Sequence, residues 1–313
     1  MTHEVAGGRV ELAGVPGRRA WPVRWCVWVG RSAVFRVVVG MMALALVAVG
    51  VQFAWGLVNA ACKGGRAEGV VLVLGGAAVA GCVLGAYLGL VRLVEGAWPA
   101  EVRGSAWRWG AEWAGGLVIG GLLVSVAVLV LWVLGVYRVE GVAPRAEWGG
   151  IVSAALATNL AAGVVEEVLF RGVLFRLTQQ RLGTWWALCV SAVVFGLVHA
   201  LNPGATLLNG VNLVVQAGVL LGAVYVLTQR LWMAVGVHMA WNILQQCVFG
   251  GALSGMEVHA VLHGVLAGPA WLAGGEFGVE GSVVSTVVCL AAGVGALVAA
   301  RGRFVGRSWP AVH

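Results

Sequence analysis

An all-α, polytopic transmembrane bundle of about eight helices is the fold this sequence predicts, and three observations predict it. Of 313 residues, 60% are hydrophobic and 11% are charged, whereas a soluble domain carries charge on roughly a quarter of its residues. The charges fall between eight uncharged runs, at 37–62, 69–91, 113–137, 148–165, 182–201, 205–229, 231–253 and 281–300. Each run approaches or exceeds the ~18–20 residues that cross about 30 Å of hydrocarbon. None alternates in the manner of a barrel strand, and in lipid only helices and closed barrels satisfy the backbone.

Taken in chain order, residues 1–36 form a polar, Arg-rich tail, too long to precede the short apolar core of a cleaved signal peptide. Residues 37–145 hold the first three spans, and the Trp-containing stretch 92–112 between them reads as an amphipathic interfacial segment. Residues 146–253 hold spans four to seven. The turn between spans four and five falls at Arg181-Leu182-Gly183-Thr184, and Arg230 alone divides spans six and seven. Residues 254–313 comprise an outer or re-entrant loop rich in Gly, Pro, His and Trp, the last span and a basic tail. Gly218 and Gly222, four apart in span six, let a neighbouring helix approach closely. Trp148, Trp185, Trp186 and Trp232 sit near span ends, where indoles anchor at headgroups. The six cysteines form neither a CxxC pair nor a disulfide framework.

Charge placement gives an orientation. With the N-terminus in the cytoplasm, 16 of the 20 basic residues fall on the inner side, and only Lys63, Arg66, Arg138 and Arg145 fall outside. The loop before the last span carries Glu257, Glu276 and Glu280 and no Lys or Arg. That asymmetry follows the positive-inside rule. The pI near 9.6 is explained by attraction to anionic headgroups, so the expected partners are the bilayer and a peptide or protein substrate, with no nucleic acid. The 19 Arg against one Lys, with abundant Ala, Gly and Val, point to a GC-rich bacterial genome and hence to the bacterial plasma membrane.

Ionisable side chains within spans are costly and mark function. The spans hold few: Glu166 and Glu167 end the fourth run, His199 lies near the end of the fifth and His238 lies within the seventh. His3, His259, His263 and His313 fall in tails or loops and read as solvated. His199 follows Glu166 by 33 residues, with the midpoint at the 182–183 turn. An antiparallel hairpin turning there brings both to the same depth, about 25 Å from the turn. His238 and Asn242, at i and i+4, share one helix face, as do Glu167 and Arg171. Arg171 thus gives Glu167 a counter-ion and leaves Glu166 without a cation on its own helix. A free carboxylate can serve as general base, a histidine can hold the attacking water, and an imidazole with an amide can donate to an oxyanion. A polar stripe, Asn209, Asn212 and Gln216 in span six, either lines the same cavity or bonds to neighbouring elements.

Three motifs now carry a resemblance. Glu166-Glu167-Val168-Leu169-Phe170-Arg171-Gly172 resembles the EExxxR motif of the CAAX-protease and bacteriocin-processing (CPBP or Abi) family; Phe195-Gly196-Leu197-Val198-His199 resembles its FxxxH motif, and His238-Met239-Ala240-Trp241-Asn242 its HxxxN motif. The resemblance covers roughly residues 155–245. It implies an eight-helix intramembrane glutamic endopeptidase related to the eukaryotic prenyl protease. Residue by residue, it implies that Glu166 activates water, His199 positions it and His238 with Asn242 binds the oxyanion, supported by Glu167 and Arg171. No cofactor is implied.

Other chemistries divide into those excluded and those left open. The chain contains no Asp, which removes aspartyl intramembrane proteases, and neither HExxH nor a rhomboid-type serine motif is present. Two readings stand beside glutamic proteolysis. Glu166, His199 and His238 could ligate a divalent metal in a metal-dependent intramembrane protease. Alternatively, the same cluster could serve a scaffold or transporter as a buried proton relay.

Overall fold

The computed structural model describes residues 32–65 and 67–304. Most of the expected N-terminal tail, including Arg9, Arg18, Arg19, Arg24, Arg31, Cys26 and His3, lies outside the described residues, as do Arg66, Arg307 and His313.

Among the described residues, eight long helical rods follow one another: α1 (Ala33–Cys62), α2 (Glu68–Glu95), α3 (Ala106–Val133), α4 (Trp148–Glu167, continued through Val168–Phe175 and Arg176–Leu182), α5 (Thr184–His199), α6 (Leu207–Thr228), α7 (Leu231–Leu244, continued through Gln245–Phe249) and α8 (Val283–Ala299). They coincide with the eight uncharged runs. Five are long and apolar enough to cross a membrane, and α5 and α8 are shorter apolar helices. The chain is a multi-pass integral membrane protein with an all-α core. Its α1 and α3 still expose large apolar side chains such as Met42, Phe53, Leu122 and Trp132, as lipid-facing helices do. The expected 181–184 turn is present: Gly183, at φ 85°, closes α4 against α5. A left-handed backbone there favours the residue without a Cβ.

Two features depart from the sequence reading. The 137–142 and 254–282 segments are not plain loops. Strand β1 (Tyr137–Val142) pairs antiparallel with β4 (Leu262–Leu266), while β2 (Ala252–Leu253) pairs with β3 (Met256–Glu257), so small sheets sit beside one end of the helical core. The 92–112 segment is likewise no separate interfacial helix. It divides into the end of α2, a short turn at Ala100–Val102 and the start of α3.

The arginines of α4 also differ from expectation. Counted among the inner-side basic residues, Arg171, Arg176 and Arg181 were expected outside the apolar spans. Arg171 is instead wholly buried and Arg176 is buried, whereas Arg181 is exposed. Arg176 pairs with Glu95 at 2.9 Å and Glu101 at 3.3 Å, and donates to the carbonyl of Gly172 at 2.9 Å. Tyr87 donates to that same carbonyl at 3.0 Å and to Glu101. Arg230 is buried against Glu112 at 2.6 Å. Internal pairing, rather than projection into solvent, makes these charges tolerable.

Helices α3 and α7 meet backbone to backbone, which fixes where α7 presents His238. A Cβ on Gly116 would lie 2.3 Å from the Met233 carbonyl, one on Gly120 2.2 Å from the Val237 carbonyl, and one on Gly236 2.2 Å from the Trp113 carbonyl. Gly236→Ala is therefore expected to destabilise the protein by about 1–3 kcal/mol. A thermal-unfolding midpoint in detergent equal to that of the wild type would contradict this contact. Gly218 and Gly222 fulfil their expected packing role, since Cβ atoms there would strike Ala192 and Leu188 of α5.

Candidate active site

Helices α4, α5 and α7 bring the predicted residues to one place. Glu166 Oε2 lies 3.7 Å from His199 Nε2 and 3.8 Å from His238 Nε2. Each imidazole is oriented from behind. His199 Nδ1 sits 2.9 Å from the Phe195 carbonyl one turn earlier, so Nδ1 carries the proton and donates, leaving Nε2 turned toward Glu166. His238 Nδ1 lies 3.0 Å from Glu167 Oε1. Phe195 completes the support: it stacks on His199 at 4.4 Å, meets His238 edge-on at 6.2 Å, and receives the Arg171 guanidinium over its face at 5.1 Å.

The two adjacent glutamates sit in different surroundings. Glu167 and Arg171 are fully buried and paired at 2.8 Å. Glu167 Oε1 thus accepts from both Arg171 and His238, tying α4 to α7. The second guanidinium nitrogen of Arg171 donates to the Ala217 and Gly218 carbonyls of α6 at 3.3 and 3.4 Å. Glu166, about a quarter exposed, faces the cavity, and its Oε2 has no hydrogen-bond partner among the described residues. Adjacent positions on a helix point about 100° apart, so one glutamate can be structural while the next faces open space.

Three of the rods around the site contain a wider π turn: Val168–Phe175 in α4, Val214–Gly218 in α6 and Gln245–Phe249 in α7. Such turns rotate the following residues relative to an ordinary helix and recur at functional sites. In α4 the wide turn begins directly after Glu166 and Glu167 and contains Arg171.

A cavity of about 370 Å³ opens before these groups. Glu166, His199, His238 and Asn242 line it together with Asn159 and Gln246. Asn242 faces the same space as His238 from one turn further along α7. A second cavity, of about 420 Å³, reaches Glu166 between α1, α2 and α4, past Gln52, Trp55 and Asn59. Among the described residues, no group of three or more His, Cys, Asp or Glu is disposed to hold a metal ion. His259 and His263 are exposed, as expected.

One cavity residue escaped the sequence reading. Glu280, counted among the acidic residues of an outer loop, is buried and lines the cavity with Glu166. The polar stripe on α6 explains its return: Gln216 donates to the Glu280 carbonyl, and Asn212 donates to the Gly281 carbonyl at 2.7 Å. Of the stripe's two readings, bonding to a neighbouring element describes Asn212, while Gln216 does both. The only signal in sequence was a carboxylate directly before the apolar run at 281.

Comparison with known proteins agrees with this architecture. Residues 148–244, just under a third of the chain, match the family described as type II CAAX prenyl endopeptidase Rce1-like. The match encloses all three motifs and agrees with the resemblance they carry. The chain is also 25% identical over 87 residues to "Putative membrane peptidase YdiL" of Bacillus subtilis (strain 168), covering 28% of this chain and 33% of that protein. The chain thus spans about a third of the length of that curated relative. No solved structure matches the chain.

Proposed function

We propose that the protein is an intramembrane endopeptidase that hydrolyses peptide bonds of membrane-associated proteins or peptides with a glutamate-activated water. The observation that carries this reading is the triangle of Glu166 Oε2 and the two Nε2 atoms, with separations of 3.7 and 3.8 Å. These gaps exceed a direct hydrogen bond and suit one bridging water. Glu166 takes a proton from that water while the lone pair of His199 Nε2 holds it in line. The hydroxide attacks the scissile carbonyl carbon. His238, in its imidazolium form, donates from Nε2 to the oxyanion while its Nδ1–H stays on Glu167, and the Asn242 amide supplies a second donor. As the C–N bond breaks, the proton held on Glu166 passes to the leaving amine, which returns the carboxylate to its starting state.

Glu167 and Arg171 act by holding His238, not by touching substrate. Removing one oxyanion donor typically costs 10²–10³ in turnover, so Asn242→Ala is expected to lower kcat by about that factor with KM little changed. Steady-state cleavage by the purified protein checks it, and a purely KM effect would assign Asn242 to substrate binding. The charge asymmetry supports a cytoplasmic N-terminus, and the bias of 19 Arg to one Lys supports a GC-rich bacterial source.

The experiment that tests the function is comparative membrane peptidomics of cells carrying the wild type or Glu166→Ala. Peptides that appear only with the wild type support proteolysis, while identical profiles favour the scaffold or proton-relay reading. The metal-dependent reading, with Glu166, His199 and His238 as ligands, has in its favour that both histidines turn Nε2 toward one carboxylate oxygen with Nδ1 engaged behind, and against it that no such group among the described residues is disposed to hold a metal ion. It requires cleavage to stop in excess chelator, and the water mechanism requires cleavage to persist.

A further inference from the structure

The cavity that holds the triangle has a third carboxylate placed there by a costly piece of construction. Glu280 reaches it through a loop fastened at several points. Besides the bonds from Gln216 and Asn212, Ser285 donates to the Val279 carbonyl at 2.7 Å. Ser254 donates through its hydroxyl to Glu280 Oε2, and Asn202, three residues after His199, donates to the Ser254 carbonyl at 3.0 Å. Ser254 itself is held at φ 48°. A serine in that left-handed region costs about 1 kcal/mol or more, and such strain persists where the side chain is needed. The loop, its serine and the turn after α5 together point one carboxyl group into the site.

That carboxyl group has no permanent cation beside it. Glu280 is 6% exposed, and no Lys or Arg lines the cavity. Glu166 and Glu257 line it as well, and Glu280 is close enough to Glu166, His199 and His238 to interact with their charges. Burial pushes the Glu280 carboxyl up, as expected of an acid withdrawn from water with the neutral Ser254 hydroxyl beside it and no Lys or Arg as a charged partner. A cationic group entering the cavity would supply that partner through a charge-assisted hydrogen bond. A substrate group bearing its own carboxylate would meet up to three others.

We propose that Glu280 determines specificity, selecting substrates that carry a lysine or arginine side chain close to the bond cleaved. The proposal rests on the proteolytic reading and deepens it by naming a substrate class. Serving as a structural anchor is the competing role, and it would leave the choice of substrate unmoved.

The test uses the full chain in lipid nanodiscs. A peptide library prepared from membrane proteins is digested, and the cleaved bonds are read by mass spectrometry. The wild type is expected to enrich Lys and Arg within about three residues of the cleaved bond, some 10 Å of extended chain. Glu280→Gln, which keeps the size and the Ser254 contact, is expected to lower the lysine-to-leucine ratio of kcat/KM roughly tenfold or more. Glu280→Asp, which keeps the charge, is expected to retain part of the preference. A ratio unmoved by Glu280→Gln overturns the proposal and leaves proteolysis standing.

A binding readout separates the two claims. Acetyl-Leu-Lys-Leu-amide is titrated calorimetrically into Glu166→Gln and into Glu166→Gln/Glu280→Gln, with the norleucine analogue as reference. Preference for the lysine peptide in the first protein and its loss in the second support the cation site even if the wild type cleaves nothing. Equal affinity for both peptides in the first protein overturns it.

Discussion

Replacing Glu166 by Gln is expected to lower peptide-bond cleavage roughly 10²–10⁴-fold, the range assigned to a positioned general base, while leaving the fold intact. Both halves of the prediction come from the same atom. Glu166 Oε2 is shielded from bulk solvent yet has no hydrogen-bond partner among the described residues, so the native state loses little when the charge is removed. The amide keeps the shape of the carboxylate but cannot take a proton from water. A thermal-unfolding midpoint near that of the wild type, together with lost cleavage of a membrane-peptide library, is the expected pair of results. Cleavage within a factor of about two of the wild type would remove Glu166 from the chemistry.

Arg171→Met is expected to be the most destabilising of the substitutions considered, by about 3–5 kcal/mol. That is the usual effect of leaving one member of a buried ion pair uncompensated. Here Glu167 and Arg171 are both fully buried and 2.8 Å apart. Arg171 also holds the Ala217 and Gly218 carbonyls of α6, so its loss loosens α4 from α6 as well as exposing Glu167 to an unpaired state. The double variant Glu167→Gln/Arg171→Met removes both charges and is expected to recover a good part of the stability. It is not expected to recover activity, because His238 Nδ1 then faces a neutral amide and its imidazolium form loses an anionic partner. Thermal unfolding and cleavage measured on the three proteins check this. Equal stabilities of the single and double variants would contradict the pairing argument.

The spans were legible because uncharged runs longer than the hydrocarbon is thick leave little choice in lipid. The α4–α5 turn was legible because Arg181 and Gly183 close a short polar stretch, Arg176 to Gly183, between two apolar runs. From that turn, spacing alone put Glu166 and His199 at one depth, and the i, i+4 rule put Glu167 on Arg171. What stayed hidden depended on contacts between distant parts of the chain. Arg176 read as an inner-side cation outside the spans because its partners, Glu95 and Glu101, lie some 80 residues earlier in the sequence. The β1–β4 pairing joins residues more than a hundred apart; Tyr137-Arg138-Val139-Glu140 does alternate apolar with charged, a strand signal overlooked beside an apolar run. Glu280 read as a solvated loop residue because nothing local shows that Asn212 and Gln216 of α6 hold its loop. The π turns have no local signature in Val168–Phe175 that would separate them from ordinary helix.

The central claim is that a single water between Glu166, His199 and His238 attacks the substrate directly. A single-turnover digestion in ¹⁸O-labelled water, with chelator in excess, tests it most directly. The account predicts one labelled oxygen in the new C-terminal carboxyl of the product and none in Glu166. Label in the Glu166 side chain, a product free of label, or cleavage abolished by the chelator would contradict it.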